Sequence, residues 1–300
     1  MKILITGSNG LLGQKLVQLL LQQPQIAVVA TARGTNRLAD LHPTLRFVPL
    51  DVTDGAQVRQ VLVQEQPTHV IHTAAMTQAD DCELNKRDCW LQNVTAVEHL
   101  AAACADLAVH LTHLSTDFIF NGKEGPLTEE AVPDPISHYG ASKLAAEQVV
   151  QATPGLRWAI ARTVLVYGTV HGGGRSNIVL WVRESLRKNQ KIKVVDDQWR
   201  TPTLAEDLAQ GCWLLAQQSA LGMYHLSGCE LLTPYQMAQQ VAAFFGLDQT
   251  LLERVDSNTF SQPAKRPSRT GFIIDKATRT LGYQPHTFAE GIALLAQQIV

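Results

Sequence analysis

Short apolar segments alternate with longer amphipathic segments along the first half of the chain. One of them, Ile26–Ala30, lacks the period-two alternation of a strand that has one solvent-exposed face. Unbroken apolar segments of this kind are typical of parallel strands that helices cover on both faces. The candidate strands are Lys2–Thr6, Ile26–Thr31, Arg46–Leu50, His69–Thr73, Val109–Ser115 and Arg157–Thr163. The candidate helices between them are Leu11–Gln22, Ala56–Glu65, Lys86–Ala105 and Tyr139–Ala152.

Strands that alternate with helices at this spacing predict right-handed β-α-β units and a doubly wound α/β fold with a parallel sheet, the Rossmann arrangement. The pattern changes after Thr163, where the glycine run Gly172–Gly174 follows. We therefore expect a dinucleotide-binding domain over residues 1–163 and a smaller C-terminal α/β domain, mainly for substrate binding, over 164–300. Residues 203–226, which carry a helical segment and a strand, are a candidate to return to the first domain.

The composition indicates a globular protein whose main partner is not an anionic macromolecule. The 300 residues are 45% hydrophobic and 17% charged, which excludes a largely disordered chain. The 25 Lys and Arg residues against 27 Asp and Glu residues give a net charge of -2, which argues against nucleic acid and an anionic membrane surface. The cysteines form no C-x-x-C pair, and no apolar run reaches the about 18 residues of a membrane-spanning helix. We expect a cytoplasmic protein that has no metal centre and does not enter the membrane.

The first predicted strand leads into a glycine-rich turn of the form G-x-x-G-x-x-G, which opens a predicted helix. Its first two glycines permit a tight turn and close approach to a pyrophosphate, and the third permits close packing of helix on strand. The N-terminus of the helix offers free N–H groups to the phosphates. A tight turn that binds nothing is the alternative interpretation, which this position between strand and helix disfavours. We expect a dinucleotide to contact Gly7, Asn9, Gly10, Leu11, Leu12 and Gly13.

Residues at the ends of the second and third predicted strands bear on which dinucleotide binds. The selecting residue usually lies about 20 residues after the glycine-rich turn. Here that position is Arg33, whose guanidinium suits the 2′-phosphate of NADP, with a solvated surface arginine as the alternative. Asp51, followed by Val52, could accept a hydrogen bond from the adenine amino group; the other interpretation is an N-cap or turn aspartate. We predict NADPH as the cofactor, with NADH as the alternative.

Tyr139 and Lys143 stand four residues apart in a predicted helix and therefore lie on one face of it. An ammonium stabilises a neighbouring phenolate, so we expect Lys143 to lower the pKa of Tyr139 and make it a proton donor near neutral pH. Lys143 could also bind the nicotinamide ribose. Thr116 follows a predicted strand, at the sheet edge where open α/β sheets bind ligands, and could orient a carbonyl oxygen. With the glycine-rich turn, these residues predict an active site for hydride transfer to a carbonyl carbon.

Longer segments of the sequence carry a family resemblance. The segment TGSNGLLG at Thr6–Gly13, together with the pair Tyr139-x-x-x-Lys143, resembles the extended short-chain dehydrogenase/reductase superfamily. Further segments are similar to the dTDP-4-dehydrorhamnose reductase family within it. They are HLSTDFIFNG at His113–Gly122, the TEE-x-x-P-x-P loop at Thr128–Pro135, HYGASKLAAE at His138–Glu147, ARTVLVYG, VVDDQWRTPT and GMYHLSG, and they span nearly the whole chain.

The resemblance implies functional residues position by position. It implies a catalytic set of Thr116, Tyr139 and Lys143, and a cofactor that contacts Ala74, Ala75, Met76, Lys143, Thr163 and Val164. It places Thr77, Asp117, Phe118, Arg175 and Arg200 on the substrate side. The charge of Arg200 suits a diphosphate, although an ordinary surface arginine is the other interpretation. Some positions depart from the family pattern: Leu165 stands where a tryptophan is usual, and Met76 where an aromatic residue is frequent.

These observations favour an NADPH-dependent reductase of the 4-keto group of a nucleotide-linked 6-deoxyhexose. Two alternatives stay open: an epimerase or dehydratase of nucleotide sugars with bound NAD, and a non-catalytic NADP-binding regulatory subunit. Arg33 disfavours the first alternative, and the combination of Thr116, Tyr139 and Lys143 disfavours the second. The expected partner is a nucleotide sugar, with no nucleic acid and no membrane, and the sequence is compatible with a homodimer.

Overall fold

The computed structural model describes residues 1–173 and 176–299. Its strands are β1 (Lys2–Thr6), β2 (Ala27–Ala32), β3 (Arg46–Pro49), β4 (His69–His72), β5 (His110–Thr116), β6 (Arg157–Thr163), β7 (Val166–Tyr167), β8 (Ile192–Val195), β9 (Thr203–Leu204), β10 (Gly222–His225) and β11 (Leu252–Val255). Its α-helices are α1 (Leu11–Leu21), α2 (Gly55–Glu65), α3 (Ala79–Leu84), α4 (Lys86–Trp90), α5 (Ala96–Asp106), α6 (His138–Ala152), α7 (Ile178–Arg187), α8 (Ala205–Gln217), α9 (Pro234–Phe244), α10 (Asp275–Leu281) and α11 (Phe288–Ala296).

Seven of these strands form one sheet in the order β10-β6-β5-β4-β1-β2-β3, and every pair in it is parallel. The strand order reverses at β1, which has β2 on one side and β4 on the other. In a doubly wound sheet, ligands bind outside the carboxyl ends of the strands at such a reversal. The predicted doubly wound parallel α/β fold is confirmed.

Apolar layers join the helices to both faces of this sheet. On one face, α1 and α8 pack through residues such as Leu20 and Leu208. On the other face, α2, α5 and α6 pack through Leu62, Leu100 and Val150. All five side chains are buried, and full burial of a side chain of this size stabilises the fold by about 1.5–3 kcal/mol. The unbroken apolar strands are therefore explained by helices that cover both faces.

The predicted helix Lys86–Ala105 is irregular in the structure. Its middle, Leu91–Thr95, is a π-helical turn between α4 and α5. Turns of this kind inside α-helices are frequent at functional sites. The expectation of one continuous helix is therefore corrected, and the reason is a tertiary contact of Asn93 that is described below.

The last third of the chain is divided between the main sheet and smaller ladders. Strand β10 lies in the main sheet beside β6, with Gly222 opposite Ala159, and α8 packs on α1. The pairs β8–β11 and β7–β9 form separate parallel ladders, and a third apolar cluster joins α7, α9 and α11 around Val182, Met237 and Ile292. The short strands β7, β9 and β11 carry too few residues for a recognisable period. The division of the chain into domains stays a prediction.

Within residues 1–173 and 176–299, no helix combines the length and the apolar character that crossing a bilayer requires. Nor do three or more His, Cys, Asp or Glu side chains of these residues converge in a cluster that could hold a metal ion.

Candidate active site

The predicted site residues follow strands that end side by side at one edge of the sheet. In the ladder between β1 and β4, Thr6 stands opposite His72. In the ladder between β5 and β6, Thr116 stands opposite Thr163. Because these four strands are parallel, the segments that follow them all emerge at the same edge. This is the edge at which an open α/β sheet binds ligands.

The glycine-rich turn after β1 has no room for side chains at two of its glycines. Gly7 has φ +70°, and a Cβ there would lie 2.7 Å from the main-chain nitrogen of Ala74. A Cβ on Gly13 would lie 2.3 Å from the carbonyl oxygen of Gly7. Gly10 caps α1 without a side-chain hydrogen bond, which leaves the first N–H groups of the helix available to phosphate oxygens. The turn therefore has the form of a pyrophosphate cradle.

Asn9 ties this turn to the loop that follows β2. Its Nδ2 donates to the carbonyl oxygen of Thr35 at 2.9 Å, and its Oδ1 accepts from the Arg37 N–H at 3.0 Å. The Arg37 guanidinium in turn donates to the carbonyl oxygen of Gly173 at 3.2 Å. Because the same loop carries Arg33, Asn9 holds part of the predicted cofactor site in place, and its direct contact with the cofactor stays a prediction.

Arg33 and Asp51 lie close together beyond the ends of β2 and β3. Burial raises the pKa of Asp51, but hydrogen bonds from the Thr53 N–H and hydroxyl, at 3.0 and 2.7 Å, and the charge of Arg33 lower it below its usual value. Asp51 thus stabilises a turn, which is the alternative interpretation given for it in the sequence analysis. Arg33 is exposed, with its Nη2 3.5 Å from Gln92 Oε1, and its contact with a 2′-phosphate stays a prediction. Val52 is half-buried beside them.

Asn93 connects the segment after β4 to the helix that carries Tyr139. Its Oδ1 accepts from the Met76 N–H at 2.8 Å, and its Nδ2 donates to the Met76 carbonyl oxygen at 2.9 Å. The same Nδ2 donates to Ser142 Oγ on α6 at 3.0 Å. The π-helical turn brings this amide to both partners. Asn93 therefore sets the position of residues 74–77, predicted to contact cofactor and substrate, relative to Tyr139.

Helix α6 begins close against the turn that follows β5. The side chain of Ser137 caps the helix by accepting from the Gly140 N–H at 3.2 Å. A Cβ on Gly140 would lie 2.1 Å from the carbonyl oxygen of Phe118, so a larger residue would push the helix away. Tyr139 packs edge-to-face on the Phe118 ring, with centroids 5.5 Å apart. Sequence reasoning missed both Asn93 and Gly140; its one signal for Asn93 was an asparagine inside a long predicted helix, where it is unfavourable.

Tyr139 is 8% exposed, and this burial raises the pKa of its phenol. A hydrogen bond with Thr116 lowers that pKa, while the negative charge of Asp117 raises it further, as do the buried thiols Cys82 and Cys89. The structure therefore brings Thr116 and Tyr139 into contact. This is expected of two predicted site residues that lie at one edge of the sheet. The structure also corrects the expectation of a lowered pKa for Tyr139, because burial, Asp117 and the two thiols together outweigh the hydrogen bond with Thr116.

Lys143 lies one helical turn beyond Tyr139 and is 4% exposed. Its Nζ donates to the carbonyl oxygen of Leu114 at 2.5 Å and lies 3.4 Å from Nε2 of His113. Burial lowers the pKa of Lys143 to about 8, against the negative charge of Glu147, which raises it. The ammonium is thus directed towards β5, beneath the sheet edge, while it shares a helix face with the phenol.

Arg200 is buried and already bonded, which corrects the expectation of a free diphosphate clamp. It is 5% exposed. Its Nη1 donates to the carbonyl oxygens of Trp199 at 2.7 Å and Ser268 at 3.3 Å, and its Nη2 donates to that of Pro267 at 2.5 Å. Its Nε lies 3.6 Å from Oδ2 of Asp117. Two residues predicted to contact substrate are therefore paired with each other.

The end of β6 is joined to β9 by hydroxyl groups. Thr163 Oγ1 donates to Thr203 Oγ1 at 3.3 Å, and Thr203 Oγ1 donates to the carbonyl oxygen of Val164 at 2.7 Å. The next residue, Leu165, has φ +37°, a left-handed conformation that costs a non-glycine residue about 1–3 kcal/mol. Its side chain is 40% exposed. Thr163 and Val164 thus stand at the sheet edge beside Thr116, and their contact with the cofactor stays a prediction.

Three further residues were predicted to contact the substrate, and the structure describes two of them. Phe118 packs against Tyr139, and Thr77 is the exposed last residue of the segment 74–77 that Asn93 positions. Arg175 lies outside the described residues. The structure therefore brings the glycine-rich turn, Thr116 and the Tyr139 helix to one edge, and the roles of the individual residues stay predictions.

Comparison with known proteins supports this arrangement. The family described as the RmlD substrate binding domain matches residues 1–300. A dTDP-4-keto-6-deoxy-D-glucose reductase of Streptomyces niveus is 33% identical over 288 residues, 94% of this chain and 91% of that protein. Methionine adenosyltransferase 2 subunit beta of Rattus norvegicus is 30% identical over 292 residues, 95% of this chain and 84% of that protein. The crystal structure of a Bacillus anthracis dTDP-4-dehydrorhamnose reductase in complex with NADP is 27% identical, has a TM-score of 0.83 and matches over 99% of both chains.

The family match spans every residue of the sequence, and a reductase exceeds 30% identity over most of it. These matches confirm the resemblance drawn from the separate sequence motifs. This protein therefore belongs to the RmlD substrate binding domain family, the dTDP-4-dehydrorhamnose reductase-like branch of the extended short-chain dehydrogenases/reductases.

Proposed function

We propose that the protein uses NADPH to reduce the 4-keto group of a nucleotide-linked 6-deoxyhexose. The observation that carries the proposal is the position of Tyr139, a buried phenol in contact with Thr116 at the sheet edge that also carries the glycine-rich turn. The substrate class comes from the reductases of keto sugars that are similar over nearly the full chain.

The residues at the sheet edge fit a dinucleotide. Gly7 lets the turn lie close against Ala74, Gly13 lets α1 lie close against Gly7, and the N-terminus of α1 presents its N–H groups to a pyrophosphate. Arg33 would hold the 2′-phosphate by charge and hydrogen bonding. NADPH, when bound there, supplies the hydride for the carbonyl carbon.

Tyr139 would supply the proton for the carbonyl oxygen from its Oη. Its raised pKa keeps the phenol protonated at neutral pH, as a proton donor requires. Lys143, with a pKa of about 8, is charged at neutral pH and stabilises the phenolate that remains after proton transfer. The burial of both side chains keeps bulk water from competing for the proton.

The proposal is tested by turnover of dTDP-4-keto-6-deoxy sugars by the purified protein. We expect one NADPH to be oxidised for each ketone reduced, with a faster reaction for NADPH than for NADH. Tyr139→Phe should lower kcat by about 10²–10⁴-fold, the usual contribution of a positioned general acid, without weakening NADPH binding. An epimerase or dehydratase would convert the sugar with no net loss of NADPH, and that result would overturn the proposal.

A second candidate function is that of a non-catalytic regulatory subunit. It is favoured by one observation, the 30% identity to methionine adenosyltransferase 2 subunit beta over 95% of this chain. A regulatory subunit needs no proton donor, so its effect on a methionine adenosyltransferase would be the same for Tyr139→Phe as for the unchanged protein. Such an effect, together with no ketone turnover, would support this candidate.

Compartment and assembly are also part of the proposal. All five cysteines are free thiols and four of them are buried, as is usual in a reducing compartment, and we propose the cytoplasm. We also propose a homodimer, which light scattering on the purified protein would test; a mass of 32.9 kDa would indicate a monomer.

A further inference from the structure

Three buried polar side chains lie at one level of the main sheet, near the ends of β1 and β4. The strand ladders place Thr6 opposite His72, and His72 opposite His113 on β5. Thr6 Oγ1 lies 2.7 Å from His72 Nδ1, and the rings of His72 and His113 stack with their centroids 5.5 Å apart. Since Thr6 immediately precedes Gly7, this row of side chains connects the glycine-rich turn to β5.

The row ends at Lys143 on α6. Lys143 Nζ lies 3.4 Å from Nε2 of His113 and 2.5 Å from the carbonyl oxygen of Leu114. An ammonium carries three protons and can only donate them. Two of these protons therefore have acceptors on β5, and one N–H remains. Because the bond to Cε and the two acceptors fix the other directions of a tetrahedral nitrogen, this last N–H has only one direction to point.

The contact with Lys143 also fixes the tautomer of His113. Nε2 must be the unprotonated nitrogen of a neutral ring, because an ammonium cannot accept a hydrogen bond, so the ring proton lies on Nδ1. Burial lowers the pKa of His113 well below its ordinary value, and the charge of Lys143 lowers it further, so the ring is neutral. Nδ1 has no hydrogen-bond partner among the residues that the structure describes. A buried N–H without a partner is unfavourable, but the other tautomer would direct its N–H against the ammonium.

We propose that His113 is a positioning residue for Lys143: its Nε2 accepts one N–H of the ammonium and, with the carbonyl oxygen of Leu114, stops the ammonium from rotating. The remaining N–H then keeps a fixed direction relative to Tyr139, which lies one turn earlier on the same face of α6. The stacked ring of His72 keeps the His113 ring in place. His113 acts on the reaction through Lys143, and the kinetic part of this inference rests on the proposed reduction.

The test compares three substitutions of His113. His113→Leu removes the acceptor. In His113→Gln the amide oxygen stands as many bonds from Cβ as Nε2 does and can accept from Lys143, whereas in His113→Asn it stands one bond nearer and falls short. We expect kcat to fall by about 10-fold in His113→Leu and His113→Asn, as for the loss of one hydrogen bond to a charged group, with little change in KM. His113→Gln should keep kcat close to that of the unchanged protein.

The comparison of Gln with Asn separates the hydrogen bond from the packing of the ring. Neither amide restores the stacking on His72, and both are polar side chains in a buried position. Only the position of the accepting oxygen relative to Lys143 favours one over the other. The two amide variants therefore keep the test decisive if His113→Leu does not fold.

The matched control is His110→Leu, which removes another buried histidine from β5. His110 lies on the opposite face of the strand, because it is three residues away from His113. It too is buried, stands opposite a histidine of β4 (His69), and has an Nδ1 without a partner in the described part of the chain. Its Nε2 lies 2.8 Å from the carbonyl oxygen of Ala220. Both variants should lose stability, but only His113→Leu should lower kcat.

The pH dependence of kcat gives a readout that a purely structural role would not move. In the unchanged protein kcat should fall as the pH rises through the pKa of Lys143, about 8. An acceptor favours the charged form of an ammonium, so the fall should begin at a lower pH in His113→Leu and His113→Asn but not in His113→Gln or His110→Leu. The other titratable groups around Lys143 are the same in all four variants: Glu147, Cys82, Cys89, His72 and, one turn away on the helix, Tyr139.

A further readout needs no substrate and no loss of a side chain. The ¹⁵N resonances of the His113 ring in the unchanged protein, assigned by their loss in His113→Gln, show which ring nitrogen carries the proton. We expect Nδ1 to be protonated and Nε2 to be unprotonated at neutral pH, because Nε2 accepts from Lys143.

The outcomes separate this inference from the proposed function. A proton on Nε2 of His113 overturns the inference, and so does a His113→Gln variant that is as slow as His113→Leu. An equal loss of kcat in His110→Leu and His113→Leu also overturns it. If the unchanged protein reduces no ketone, the proposed function fails, while the ring resonances still decide whether His113 accepts from Lys143.

Discussion

Glu147 and Arg162 form a bidentate ion pair in the interior of the protein. Arg162 Nε lies 2.9 Å from Glu147 Oε1, and its Nη2 lies 2.7 Å from Oε2, with the two side chains 3% and 0% exposed. Glu147 is one turn beyond Lys143 on α6, and Arg162 precedes Thr163 on β6. The pair therefore joins the helix that carries the proton donor to a strand that ends at the site.

We expect Arg162→Met to lower the free energy of unfolding by about 3–5 kcal/mol, because it leaves the Glu147 carboxylate buried and unpaired. The double variant Arg162→Met/Glu147→Leu should recover much of this loss, since it removes both charges. Urea unfolding measures both. The surface pair of Arg59 and Asp106, 57% and 58% exposed, is the control, and Arg59→Met should cost no more than about 1 kcal/mol. Equal losses of unfolding free energy in Arg162→Met and Arg59→Met would contradict the assignment of Arg162 and Glu147 as a buried ion pair.

Gly7→Ala should abolish measurable NADPH binding. A methyl group there would meet the main chain of Ala74 at 2.7 Å, in addition to the strain of φ +70°. Gly34→Ala is the matched control, because Gly34 has φ +76° but nothing within 4 Å of its Cβ position. We expect that variant to lose about 1 kcal/mol of stability from backbone strain and to keep its affinity. Fluorescence titration measures the affinity of the two variants for NADPH. Similar affinities would contradict the role of the glycine-rich turn as a pyrophosphate cradle.

Arg33→Ala should weaken NADPH binding and leave NADH binding nearly unchanged. The reason is the loss of a charged hydrogen bond to the 2′-phosphate, which contributes about 1.5–3 kcal/mol, or about 10–100-fold in the dissociation constant. Calorimetry with both cofactors measures the effect. Arg59→Ala, an exposed arginine on α2, serves as the control for a general change in charge. Equal weakening of both cofactors would show that Arg33 does not select between them.

The stability contributed by Lys143 should depend on pH. Burial lowers the pKa of Lys143 to about 8 in the folded protein, against an ordinary value of 10.5. Between these values the unfolded chain holds a proton that the folded chain does not, so stability rises with pH. We therefore expect the free energy of unfolding to improve, relative to Lys143→Met, from pH 8 to 10.5. Taking the difference between the two proteins cancels the other titrating groups. A difference in unfolding free energy that stays constant or falls over this pH range would contradict the buried position of Lys143.

The fold class and two local motifs were determined by the sequence itself. Apolar strands without alternation require helices on both faces, so they implied the doubly wound sheet that the structure has. The glycine-rich turn at Gly7–Gly13 and the pair Tyr139 and Lys143 are each contained within a few residues. Their geometry follows from one turn or one helix, which is why it could be predicted without any knowledge of packing.

Only the tertiary structure decided which of the polar side chains are free and which are engaged. Arg200 has the sequence context of an exposed loop arginine, yet carbonyl groups of a remote segment and the carboxylate of Asp117 surround it. The amide of Asn93 contacts Met76, which lies outside this helical segment, and the π-helical turn that carries Asn93 accompanies this tertiary contact. The pKa of Tyr139 rises because several elements bury the phenol together. The burial of a side chain depends on contacts from the whole chain, so a local pattern of residues does not predict it.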